Sequence, residues 1–72
     1  MSKNERVVKV DGLVQEALPG LLFRVSLGGG KEVLAHLGGK MKLNRIRVIP
    51  GDRVTLEMAS LEDKRARITR RL

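Results

Sequence analysis

Four cations stand two or three residues apart in one connecting stretch: Lys40, Lys42, Arg45 and Arg47, within residues 36–54, HLGGKMKLNRIRVIPGDRV. With Arg53 that stretch holds five Lys/Arg against one acid, Asp52, a local charge of +4. The chemistry open to such a set is electrostatic. Lys acts as a point charge on a phosphate, and Arg makes bidentate contacts or lies flat on a base. The alternation in Lys40-Met41-Lys42 and Arg45-Ile46-Arg47 predicts that the apolar side seats the segment and the other side presents cations. A second basic set ends the chain: Lys64, Arg65, Arg67, Arg70 and Arg71. Arg65, Arg67 and Arg71 share strand parity and would extend the same surface. Arg70 has the parity of Ile68 and is expected at a barrel mouth or a frayed strand end. His36, the single histidine, sits at a strand end just before the basic stretch and is a further candidate RNA contact.

Catalysis fits these residues poorly. One imidazole and no thiol leave nothing to complete a metal site, and Ser26 lies mid-strand without an elbow or oxyanion hole for that imidazole to serve. The Gly-Lys pairs miss the phosphate-loop spacing, because Val25 and Leu34 stand where its first glycine belongs, and Glu32 and Met41 where its Ser/Thr belongs. The eight acids are scattered without a paired-carboxylate or oxygen-cage pattern. No enzyme, no metal and no cofactor is expected.

Net charge +7 with a pI near 10.9 predicts attraction to polyanions. Its distribution is uneven: residues 1–35 carry five bases and four acids, whereas residues 61–72 carry five bases and two acids. A solubility coat would be spread more evenly, so nucleic acid is the favoured partner. The single aromatic, Phe23, alternates with Val25 and Leu27 as a core residue would, which removes the stacking platform that general single-strand binders use. Docking on a folded RNA through phosphates and shape is the better fit. The alternatives are a single-stranded RNA chaperone of cold-shock type and a protein-interaction module for an acidic partner. The absence of Cys suits a reducing compartment, and no apolar run exceeds three residues, so a cytoplasmic chain without a membrane span is expected.

The elements that must position these cations read as strands. Seventy-two residues allow one domain, 1–72, with short flexible ends. Period-two alternation begins at Arg6, with Val8, Val10 and Val14 on one face and Lys9, Asp11 and Leu13 on the other, and is expected to end near Glu16. Gly12 predicts a bend or bulge where one strand serves both sides of a small barrel. Leu18-Pro19-Gly20 is turn chemistry. Phe23, Val25 and Leu27 point inward in a second strand, and Gly28-Gly29-Gly30 makes a hairpin into a third, Lys31 to Leu37, with Val33, Ala35 and Leu37 inward. Gly38-Gly39 releases the chain, Lys40 to Leu43 forms at most one helical turn, and Ile46, Val48 and Ile49 are expected to anchor the connection. Pro50-Gly51-Asp52 turns it into a fourth strand (Val54, Leu56 and Met58 inward). Residues 59–63 form a polar connection to the last strand, Arg65 to Arg71. This is an all-β, five-stranded barrel of OB-fold type with a short helical turn or loop between strands 3 and 4. An SH3-like barrel is the alternative, since strand counting does not separate two small five-stranded barrels.

Nearly the whole chain resembles bacterial translation initiation factor one, an S1-like OB-fold family, without gaps from Gly12 to the end. The carriers are LPGLLFRV (18–25), VLAHLGGKMKLNRIRVIPGDRVTLE (33–57) and RARITRR (65–71). The resemblance implies a monomeric initiation factor. It would bind the small ribosomal subunit at the A site, contact rRNA of the decoding region and a neighbouring ribosomal protein, block premature tRNA entry and act with initiation factors two and three. Residue by residue, His36, Lys40, Arg47, Arg67 and Arg71 match family positions, Lys42 one usually Arg and Arg65 one commonly Lys. Lys64 and Arg45 complete the expected RNA-binding set from their charge. The chain departs from the family at Arg45, where many members carry Tyr. It departs also at Leu61 and Arg70, two positions near the C-terminus where an aromatic is common, and at Gly38, where Ser is usual. These departures imply a divergent member, of the sort a second genomic copy would be, that relies more on electrostatics.

Overall fold

The computed structural model describes residues 7–60 and 62–72. The expected mobility of residues 1–5, the start of alternation at Arg6 and the departure at Leu61 lie outside them. The described chain forms β1 (Val8–Leu18), β2 (Leu22–Gly28), β3 (Lys31–Leu37), α1 (Gly39–Leu43), β4 (Arg53–Met58) and β5 (Arg65–Arg71). No helix among the described residues is long and apolar enough to cross a membrane.

Three antiparallel strands meander through the first half because their connections are too short for anything else. Leu18 pairs with Leu22 across Pro19-Gly20-Leu21. Gly29 and Gly30 both have positive φ, 60° and 81°, the geometry of a two-residue hairpin whose twist matches its strands. The second half then closes the barrel in the order β1-β2-β3-β5-β4, with β1 completing the circuit against β4. Strand β5 runs parallel to β3 and antiparallel to β4. That order and the parallel pair make this the OB-fold and not the SH3-like alternative.

The alternation read from the sequence is the alternation of burial. Val14, Phe23, Val25, Val33, Ala35, Leu37, Val54, Leu56, Met58, Ala66 and Ile68 fill the barrel, and no polar or charged side chain is buried among the described residues. Phe23 is 5% exposed, so the single aromatic is core. Two further core residues come from the connection: Met41, 2% exposed, and Val48. Ile46 packs against the cluster from its edge.

One expectation is corrected and a second is met in part. Ile49 is not an anchor; it is 54% exposed. It opens the turn at Pro50-Gly51, where its N–H donates to Asp52 Oδ2 (3.0 Å) and its carbonyl accepts the Asp52 N–H (3.1 Å). The backbone of Ile49 is what the turn needs, and the inward position passes to its neighbour Val48. The irregularity expected at Gly12 falls later, between Val14 and Glu16 in the pairing with β2, while the pairing with β4 runs evenly through Gly12. Gly12 answers a different demand. A Cβ there would lie 2.5 Å from Val25 Cγ1 and 3.0 Å from the Ser26 carbonyl oxygen, so the strand crosses β2 too closely for a side chain. The bend itself is present, because residues 8–13 of β1 pair with β4 and 13–18 with β2.

Candidate nucleic-acid interface

The basic connection is seated by one helical turn. Met41, at the centre of α1, is buried under the barrel end, and Lys40 and Lys42 flank it. At 3.6 residues per turn they are separated by roughly 200° around the axis, so they leave on different sides. Lys40 lines a cleft against β4 and β5 with Thr55, Glu57, Arg67 and Arg70. Lys42 lines an apolar depression on the other side, with Arg45 and Arg47 at its rim and Leu21, Phe23 and Ile46 among its walls. The alternation therefore seats the segment as expected, but its cations serve two surfaces.

The helix ends in a Schellman arrangement: the Arg45 N–H donates to the Lys42 carbonyl (3.1 Å) and the Ile46 N–H to the Met41 carbonyl (3.0 Å). The residue at the turn must enter the left-handed region, which ordinarily selects glycine, and here Arg45 does so with φ 53°. That conformation costs a non-glycine residue about 1–2 kcal/mol, partly offset in glycine by its larger unfolded entropy. Arg45→Gly is therefore expected to raise stability by about 0.5–1 kcal/mol in urea titration. A variant that gained nothing in stability would show the Arg45 conformation to be unstrained.

Behind α1, the outer face of the barrel carries cross-strand rows. His36 of β3 is opposite Arg67 of β5, Arg67 is opposite Glu57 of β4, and Glu57 is opposite Lys9 of β1. Glu57 joins two of these cations, at 2.8 Å from Arg67 and 3.9 Å from Lys9. The next row runs Asp11, Thr55, Arg70, with the Thr55 hydroxyl donating to Asp11 Oδ1 (3.1 Å). Such exposed pairs are worth about 0–1 kcal/mol each, so they orient side chains more than they hold the fold.

The nine residues expected at the interface are all exposed, but they do not form one patch. Lys40 and Arg67 meet in the cleft. His36 and Arg65 meet beside Arg67 at the neighbouring edge. Lys42, Arg45 and Arg47 share the apolar depression. Lys64 lies apart, near Arg24, Lys31 and Glu32, and its carbonyl accepts the Leu34 N–H (2.9 Å). Arg71 does not extend the strand surface: its guanidinium donates to the Arg47 carbonyl at 2.9 Å. Two cations in the cleft, Lys9 and Arg70, were outside the expected RNA-binding set. Lys9 was legible as an outward residue, but its neighbours depend on barrel closure. For Arg70 parity pointed the wrong way.

The chain as a whole matches the family model for translation initiation factor 1A / IF-1 over residues 2–72. Among solved structures, the solution structure of translation initiation factor one from the Wolbachia endosymbiont strain TRS of Brugia malayi is 42% identical, with a TM-score of 0.76, covering 100% of this chain and 88% of that one. The crystal structure of YjeQ from Thermotoga maritima, 23% identical with a TM-score of 0.71, covers 90% of this chain and 23% of that one; its likeness is one of fold.

Proposed function

The chain belongs to the translation initiation factor 1A / IF-1 family, and on that premise we propose that it binds the small ribosomal subunit at the decoding A site through rRNA, without catalysing a reaction. Occupying that site blocks premature tRNA entry, and the bound protein acts there with initiation factors two and three and beside a neighbouring ribosomal protein. It works as a monomer in the cytoplasm.

The observation that carries this reading is the state of the cations around α1. Lys40, Lys42, Arg45 and Arg47 are exposed, and none takes part in an ion pair among the described residues. By contrast Arg24, in the nearly neutral first half, is bound to Glu16 at 2.6 Å. Cations left without acids keep their charge for phosphates, whose displaced counterions supply the binding free energy. With Phe23 in the core, no Phe, Tyr or Trp ring is exposed, and the lone His36 imidazole does not make the multi-ring platform that general single-strand binders use. That favours a structured rRNA target over unstructured strands and counts against a cold-shock type of chaperone.

Chemical footprinting of small-subunit rRNA with and without the protein tests the proposal. Protection confined to the decoding region is the expected result. Protection spread over single-stranded regions, or none at stoichiometric protein, would overturn it.

A further inference from the structure

The ladder between β4 and β5 is irregular at its end, and the irregularity changes what two adjacent arginines do. Leu56 pairs with Ile68, but Thr55 pairs with Arg70, so Thr69 is an extra residue in β5. A bulge of this kind shifts every later side chain to the opposite face. Without it, Arg71 would follow Arg67 onto the outer face and Arg70 would follow Ile68 toward the barrel interior. With it, Arg70 stands opposite Thr55, one row from the Arg67–Glu57 pair. Arg71 stands opposite Val54 at the rim and turns to the connection, where it holds the Arg47 carbonyl.

We infer that the bulge divides these two residues between separate tasks: Arg70 contacts the RNA sugar–phosphate strand in the cleft beside α1, and Arg71 is a positioning residue that holds the basic loop. This deepens the rRNA-binding reading and rests on it. The cleft has a volume of about 650 Å³, more than a single ion occupies. Its charges are unequal in availability. Glu57 engages Lys9 and Arg67, and Asp11 in the adjoining row accepts from the Thr55 hydroxyl. Lys40 and Arg70 enter no ion pair among the described residues. Across the two rows and Lys40 of α1, four cations (Lys9, Lys40, Arg67 and Arg70) face two acids (Glu57 and Asp11), which leaves a local excess of two positive charges directed by Lys40 and Arg70. Arg70 adds a planar fork that donates to two phosphate oxygens at once. On the other side of the bulge, the 2.9 Å bond from Arg71 ties residue 47 to β5 across 24 positions of sequence. It therefore holds the segment between the helix end and Val48, where Arg45 and Arg47 are displayed.

Two variants separate the tasks. Binding of Arg70→Ala and Arg71→Ala to purified small ribosomal subunits is measured over a range of salt, alongside backbone relaxation of residues 44–48 in the free proteins. Arg70→Ala is expected to reduce the magnitude of the log–log salt slope by about 0.7–0.9, the share of one phosphate contact, with loop relaxation as in the unaltered protein. Arg70→Lys should restore the slope. Arg71→Ala is expected to keep the slope, weaken binding several-fold and raise the mobility of residues 44–48. An unchanged slope in Arg70→Ala, or unchanged loop relaxation in Arg71→Ala, overturns the inference. If the unaltered protein fails to bind subunits, the rRNA reading itself falls. If it binds and Arg70→Ala keeps the full slope, only the division of tasks falls.

Discussion

Replacing Lys40, Lys42 and Arg47 together by Ala is expected to lower affinity for the small ribosomal subunit by about 100-fold near physiological salt, a loss that filter binding would read as abolished binding. Each phosphate contact contributes about 0.7–0.9 to the salt slope, so near 0.15 M each is worth roughly four- to five-fold. Three multiply to about 100-fold, and the slope should fall by about 2–3. The barrel should survive, because all three side chains are exposed and stand outside every ion pair among the described residues. Ala is a better helix former than Lys at positions 40 and 42, and the buried Met41 that seats α1 is untouched. The Arg47 carbonyl still accepts from Arg71 after its own side chain is removed. A thermal melt and far-ultraviolet circular dichroism check the fold; unchanged affinity in a folded variant would remove the central claim. Because Lys40 serves the cleft and Lys42 with Arg47 the apolar depression, single variants should lose different parts of the footprint.

Leu56→Ala is expected to be the most damaging change to stability, costing about 3 kcal/mol within the roughly 2–5 kcal/mol seen for such truncations. Leu56 is 0% exposed and sits where β4 meets Val10 of β1 and Ile68 of β5. A chain of this length has only about 4–11 kcal/mol in total, so the loss is a large share of it. At about 4–8 °C per kcal/mol, the melting temperature should fall by about 12–24 °C. Urea titration and calorimetry measure it. A cost below about 1 kcal/mol would mean that β4 does not close the core in solution. The folded fraction should retain its salt slope, since no cation moves.

How much of this was legible beforehand can be judged residue by residue. Period-two patterning named nearly every buried strand residue, from Val14 to Ile68, because a pleated strand has only two faces and the apolar one must leave water. Pro and Gly at 19–20, 28–30 and 50–51 marked the turns for reasons internal to their backbones. The charge excess at 36–54 was visible because only Asp52 within it opposes five bases. Even Met41 was implied by the alternation that seats it. Ile49 was misread because an apolar residue beside a turn resembles an anchor until the turn claims its backbone.

Other features were decided only by the fold. Strand pattern alone left the OB-fold and the SH3-like barrel unseparated, and what separates them physically is β3 running parallel to β5, a pairing between distant segments (Leu34 with Arg65, for one) that no local pattern encodes. The row His36, Arg67, Glu57, Lys9 draws one residue from each of four strands and exists only once the barrel closes. The sorting of Arg70 from Arg71 depends on one unpaired residue, Thr69, whose position follows from how two twisted strands must register to shut the circuit. The sequence by itself determined which residues leave water, where the chain turns and how much positive charge it displays, because these follow from each residue and its near neighbours. Which cations share a surface was decided by tertiary structure, because a barrel brings side chains together through ladder register, and register is set only when distant strands meet.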